Sequence, residues 1–200
     1  PPRWWPAFRI GAGAVGLGLI AVMAALVTRN AWPTDETRWL AIAWEMWTRS
    51  DLLVPRLNGV PASVAPLFFW LVQLGWLTFG VVEWWARLVP ALFMLGSLFA
   101  AARMARFLWP GQSDAARYVP LALLGGFYWV FSATLLSVDL LTVFFTLFAL
   151  STVLWMWRTR DQRVWLLLGP VLGLGLLASG SLIFLYVLPV TLLAPLWARG

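Results

Sequence analysis

Residues 33–66 read PTDETRWLAIAWEMWTRSDLLVPRLNGVPASVAP, and this stretch holds four of the eight carboxylates of a chain otherwise dominated by apolar side chains. Pro33 closes off any earlier helix, and Thr34 can cap free backbone N–H groups. Asp35 and Glu36 then fall in the first turn, where negative charge meets the positive end of the helix dipole. At about 100° per residue, Trp39, Leu40, Ala43, Trp44, Met46 and Trp47 form one continuous side, whereas Thr37, Arg38, Glu45, Thr48 and Arg49 gather on the other. The sequence therefore predicts a helix beginning at Asp35 that lies along a membrane surface, tryptophans toward lipid and charges toward water. Asp35 sits at the border of the two sides, one turn from Arg38, so its carboxylate can face a lipid-lined crevice with a cation in reach. Both acids also have a plain structural reading as complements of the helix end.

The rest of the composition sets the setting of this stretch. Of 200 residues, 62% are hydrophobic, 16 are Trp and only 11% are charged. Together with uncharged runs of about twenty residues, this describes an integral membrane protein. The chain has neither Cys nor His, which excludes disulfides and thiolate metal sites and removes the commonest neutral-pH base. Acid–base chemistry is left to carboxylates. All 14 basic residues are Arg, and the formal charge of +6 is accounted for by where they lie, so nucleic acid is not an expected partner.

Arg3 and Arg9 precede the uncharged run Ile10 to Thr28. As a helix of roughly 28 Å it reads as a first span, an uncleaved anchor rather than a signal peptide. The apolar stretch Pro66 to Gly80 then decides the topology. If it crosses the bilayer, Arg103, Arg106, Arg117, Arg158, Arg160 and Arg163 face outward; if it lies at the surface, all six join Arg3 and Arg9 on the cytoplasmic side. The positive-inside rule selects the surface position. The cytoplasmic segments then carry nine Arg against Asp114 and Asp161, and the opposite face five Arg against six carboxylates, a net of +7 inside and −1 outside. The remaining spans are expected over 88–108, 118–138, 139–157, 164–178 and 181–198. The last two come from dividing the 35-residue uncharged run Val164 to Ala198 at Ser179-Gly180-Ser181, since one helix of roughly 52 Å exceeds the hydrocarbon core. The expected fold is an all-α integral membrane domain over 1–200 with about six transmembrane helices, and with amphipathic interfacial helices in a long first external loop, 29–87. The N-terminus is placed in the cytoplasm.

Several segments carry a family resemblance. Pro33-Thr-Asp-Glu-Thr-Arg38, Glu45-Met46, Leu53-Val-Pro-Arg-Leu-Asn-Gly59 and Pro66-Leu-Phe-Phe-Trp70 resemble the first external loop of the GT-C polyprenyl-phosphate-sugar glycosyltransferases. Within that superfamily they are most similar to the bacterial lipid A aminoarabinose transferases and the protein O-mannosyltransferases. Arg87-Leu-Val-Pro90, Ser137-Val-Asp139 and Leu177-Ala-Ser-Gly180 continue the resemblance in order. It implies transfer of a sugar, with inversion, from a polyprenyl-phosphate donor to a lipid or protein acceptor on the periplasmic side. Asp35 and Glu36 are implied as the catalytic acids and Asp139 as a second acidic position for substrate, with Arg38, Arg56 or Arg87 as the ligand of the donor phosphate; Arg56 and Arg87 read equally well as lipid headgroup contacts. A carboxylate there can deprotonate an acceptor hydroxyl while cations stabilise the departing phosphate. Asp35, Glu36 and Asp139 can supply oxygen ligands to a divalent cation if they converge.

The chain also departs from the pattern. Val64-Ala65-Pro66-Leu67 stands where relatives read Glu-Lys-Pro-Pro, and Leu177-Ala-Ser-Gly180 where they read Leu-Thr-Lys-Gly. Both expected lysines are absent, and relatives are longer, so the chain reads as the N-terminal portion of such a protein. The alternative is a non-catalytic GT-C-like structural or lipid-binding subunit of a larger membrane assembly. A transporter is disfavoured, because apart from the boundary Asp139, and Arg103 and Arg106 that can snorkel at the end of 88–108, no charge lies within an expected span.

Residues 29–87 are thus expected on the non-cytoplasmic side. In the cysteine-free background, a membrane-impermeant thiol reagent applied to intact cells should label Asn58→Cys and spare Gln112→Cys. A reporter fused after Glu83 should read as external. Labelling at 112 alone would invert the topology.

Overall fold

A computed structural model describes residues 16, 20, 35–111, 113–126, 131, 132, 135–160 and 162–197. The expected first span, 10–28, lies outside the described residues apart from Gly16 and Ile20. In chain order the elements are α1 (Asp35–Arg49), β1 (Arg56–Leu57), β2 (Val60–Pro61), α2 (Leu67–Phe79), α3 (Glu83–Leu108), α4 (Ser113–Gly125) and α5 (Asp139–Thr159). A 3-10 turn (Gln162–Val164), α6 (Trp165–Ser179), α7 (Leu182–Leu192) and α8 (Ala194–Trp197) follow. Among the described residues the structure is helical, and the exception to an all-α fold is the antiparallel hairpin of β1 and β2, two residues to each strand. Asn58 and Gly59 close it with φ of 54° and 83°, the pair of positive values that a two-residue turn matched to strand twist requires.

On α1, Ile42, Ala43 and Met46 are buried. Trp44 and Trp47 both meet Trp76 of α2, with ring centroids 6.5 and 6.0 Å apart. The tryptophan side expected to face lipid is therefore partly covered, because α2 offers an apolar surface within reach of the same loop. The 13 residues of α2 rise only about 20 Å, short of a hydrocarbon core of about 30 Å.

The centre of the molecule is the pair α3 and α5, of 26 and 21 residues, both long and apolar enough to cross a membrane. Phe93 meets Phe144 and Phe145 at 5.2 and 5.8 Å. Further along both helices, the Arg103 guanidinium lies 4.8 Å from the Trp155 ring, and Arg158 Nε donates to the Phe107 carbonyl at 3.0 Å. Contacts that advance together along both chains mean that the helices run in the same direction. α6 packs on α5, and α4 on α3.

Several stretches differ in extent from the ranges read off the sequence, among them α4, which starts at Ser113 rather than Tyr118, and α7, which ends at Leu192. α3 starts at Glu83 rather than Leu88, since nothing between those residues stops a helix and an acid suits its first turn. α4 runs only to Gly125, where the Gly125-Gly126 pair ends the helix and Gly126 N–H turns back to the Leu123 carbonyl at 3.0 Å. Residues 135–138, expected to end a span, are not helical. The uncharged run after 163 is interrupted at Gly180, whose φ of 66° suits a residue without a Cβ.

The fold-back of α2 onto α3 depends on a close approach at Gly75. Trp85 Nε1 donates to the Leu71 carbonyl at 3.0 Å, which lays the indole across the glycine. A Cβ at residue 75 would stand 1.8 Å from that nitrogen. Gly75→Ala should displace Trp85, break its hydrogen bond and lower stability by about 1–3 kcal/mol, the usual scale of overpacking. Thermal unfolding of the purified protein in detergent measures this, and an unchanged midpoint would show that the interlock contributes nothing.

Candidate active site

Two cavities adjoin where α1, the segment before α5 and the α6–α7 junction meet. The first, of about 540 Å³, is lined by Asp35, Glu36 and Trp39 of α1, by Phe131 and Ser132, and by 135–139. The second, also about 540 Å³, lies between 62–66, Thr142 of α5 and the 176–182 region. Trp39, Val138 and Asp139 belong to both walls. Asp35 is exposed at the start of α1. Asp139 opens α5 and is set by Ser137, whose hydroxyl donates to the Asp139 carboxylate and accepts from its N–H, each at 3.3 Å. Asp35 and Asp139 thus come from distant parts of the sequence to one cavity.

Glu36 takes another path. It is 2% exposed, and its Oε1 accepts the Leu136 N–H at 3.0 Å while Oε2 lies 3.9 Å from Arg87 Nη2. Arg87 is buried as well and also meets Glu83 at 3.4 Å. With Glu36 turned to these groups, no cluster of three or more acidic side chains suited to holding a metal ion forms among the described residues. The sequence carries a signal for this placement: on the same helical wheel Glu36 falls between Ala43 and Trp47, in the middle of the apolar side.

The other candidate cations lie apart from the cavity walls. Arg56 donates to the Gly59 carbonyl at 3.3 Å and pairs with Asp51 at 3.7 Å. The N–H groups of Val54 and Leu53, together with Arg56, hold the Asp51 carboxyl below its ordinary range. Arg38 is exposed, with its guanidinium 5.6 Å from the ring of the adjacent Trp39. No arginine lines either of these two cavities. Ala65 and Ser179, the positions at which the resemblance expects lysine, both lie in the wall of the second cavity.

One contributor escaped the sequence reading. Glu45 accepts the Gly59 N–H at 2.8 Å and pairs with Arg49 at 3.0 Å, tethering the hairpin turn to α1. An acid on the polar side of an amphipathic helix gives no local sign of such a partner.

The described residues form a helical domain with two helices long and apolar enough to cross a membrane and with carboxylates at their starting ends. The chain belongs to the dolichyl-phosphate-mannose-protein mannosyltransferase family, whose sequence profile matches residues 63–199. It is similar to the undecaprenyl phosphate-alpha-4-amino-4-deoxy-L-arabinose arabinosyl transferase 1 of Pseudomonas fluorescens (strain Pf0-1), with 28% identity over 87% of this chain and 31% of the relative. The corresponding transferase of Pseudomonas aeruginosa (strain LESB58) is 27% identical over 88% of this chain and 33% of its own length. The crystal structure of ArnT from Cupriavidus metallidurans bound to undecaprenyl phosphate superposes with a TM-score of 0.76 at 27% identity, covering 94% of this chain and 37% of that one. ArnT in the apo state shares the fold with a TM-score of 0.58 at 21% identity, over 93% and 42% of the two chains. The chain spans about a third of the length of the curated relatives it matches.

Proposed function

We propose that this chain forms the catalytic part of a membrane glycosyltransferase, one that moves a sugar from a polyprenyl-phosphate donor to a lipid or protein acceptor on the periplasmic side of a bacterial inner membrane. The observation that carries this reading is the meeting of Asp35 and Asp139 on one cavity that shares its wall with a second. The likeness to ArnT with undecaprenyl phosphate supports the donor class. Asp35 takes the proton of the acceptor hydroxyl as its oxygen attacks the anomeric carbon. The bond from that carbon to the phosphate oxygen breaks on the opposite face, and polyprenyl phosphate departs. Asp139, held by Ser137, orients sugar or acceptor hydroxyls. Of the three candidate arginines, Arg38 stands beside a residue common to both cavities, which suits it to the departing charge.

In this reading α1, the hairpin and α2 lie at the periplasmic surface. The run 10–28, α3, α4 with the residues after it, α5, α6 and α7 with α8 supply the six spans, and the N-terminus is cytoplasmic. Ala65 and Ser179, neutral in the wall of the second cavity, favour a second reading as a lipid-binding subunit without transfer activity.

Asp35→Asn separates the two. Asn keeps the shape and the capping ability but accepts no proton. Sugar transfer from a polyprenyl-phosphate pool by the full native protein should fall by roughly 10²-fold or more, with a stability change of at most about 1 kcal/mol. Wild-type protein that binds the donor lipid without transferring sugar would establish the second reading, and absence of both would end the first.

A further inference from the structure

Three stretches of chain meet at a single buried carboxylate. Glu36 comes from α1, Arg87 from α3, and Leu136 from the non-helical segment that leads into α5. The exposures of Glu36, Arg87 and Leu136 are 2%, 5% and 2%. Both oxygens of Glu36 are engaged, Oε1 by the Leu136 N–H at 3.0 Å and Oε2 by Arg87 at 3.9 Å. A carboxylate committed in this way is poorly disposed to take a proton from a substrate. Arg87, set between Glu36 and Glu83, is equally ill placed to meet a donor phosphate.

What the cluster controls follows from its neighbours in sequence. Asp35 immediately precedes Glu36. Asp139 lies one short turn of chain beyond Leu136, and every residue from 135 to 139 lines the first cavity. The Glu36–Leu136 hydrogen bond is therefore a directional tie between the two sides of the cavity on which the candidate acids stand. A buried ion pair adds little net stability over apolar packing, but removing one partner strands the other. Its physical effect is to fix one geometry.

We propose that Glu36 and Arg87 are positioning residues: Arg87 holds the Glu36 carboxylate, which pins 135–138 and so sets the distance between Asp35 and Asp139. The role in turnover rests on the glycosyl-transfer reading, whereas the pinning itself can be tested without activity.

Hydrogen–deuterium exchange of the full protein in detergent gives the first arm. Glu36→Ala should accelerate exchange of the peptide covering 135–138 by roughly tenfold, the scale of losing a hydrogen bond to a charged group, while the 145–155 part of α5 keeps its protection. Glu36→Gln retains a carbonyl oxygen for Leu136 but gives up the ion pair with Arg87, so exchange at 135–138 should rise less than in Glu36→Ala. Unchanged exchange at 135–138 in Glu36→Ala would overturn the proposal, whatever the protein transfers. The second arm is kinetic. Glu36→Gln should keep the wild-type acidic limb of the pH–rate profile and lose less kcat than Glu36→Ala, and Glu36→Ala should lose kcat with little change in donor KM, as expected for misplacement of groups acting in the transition state. Loss of the acidic limb in Glu36→Gln would make Glu36 itself the base and overturn the positioning role. Failure of wild-type transfer would remove the glycosyl-transfer reading alone, because the exchange arm still decides the pinning.

Discussion

An ionised carboxylate taken out of water must be met by opposite charge and by hydrogen-bond donors, or it costs several kcal/mol. Glu36 is met by both, and neither comes from its own helix. α1 can bury this side chain only if α3 has brought Arg87 up and the segment before α5 has presented the Leu136 N–H. Helix α1, the long central helix α3 and the segment before α5 are thereby made to fold as one arrangement. Non-directional apolar contacts among Ile42, Met46, Phe68 and Phe69 tolerate small slips, whereas a charged hydrogen bond does not.

Around that point the packing is aromatic and cationic. Phe93, Phe144 and Phe145 fill the middle of the α3–α5 interface. Near the far end Arg103 lies against Trp155, Phe107 and Phe148, where ring faces hold the charge. The first cavity borders the starting end of α5, and Arg87 anchors the starting part of α3. One end of the pair is thus built around acids and the other around arginines, the polarity that the charge distribution of the sequence describes.

How much of this is legible in the sequence depends on whether the cause is local. A helix through 35–49 follows from Pro33, Thr34 and two acids, and the apolar runs announce the helices of the membrane part. Asp35 stands out as an acid at a boundary. Its meeting with Asp139 does not follow from periodicity and enters only through family resemblance. The burial of Glu36 is readable on the helical wheel, but a first-turn acid already has a sufficient local explanation, which hides it. The Asn58-Gly59 turn carries a hairpin signal, weakened by strands of only two residues. Glu45 bound to Gly59, and the end of α4 at Gly125 rather than near 138, depend on where distant chain lies or on a glycine pair that membrane helices often tolerate.

The Arg103 and Trp155 contact also works as a ruler. From Asp139 to Arg158 along α5 the rise is roughly 28 Å, close to the thickness of a bilayer hydrocarbon core. With the arginine end held at one headgroup layer, as in the orientation proposed above, the acidic end comes level with the other. A thicker or thinner bilayer is met by tilt or local deformation, and either one changes the height at which the cavity mouth meets the headgroups. On the glycosyl-transfer reading proposed above, bilayer thickness then becomes a variable of the reaction itself, because a substrate tethered to a lipid chain arrives at a height fixed by the membrane and not by the protein.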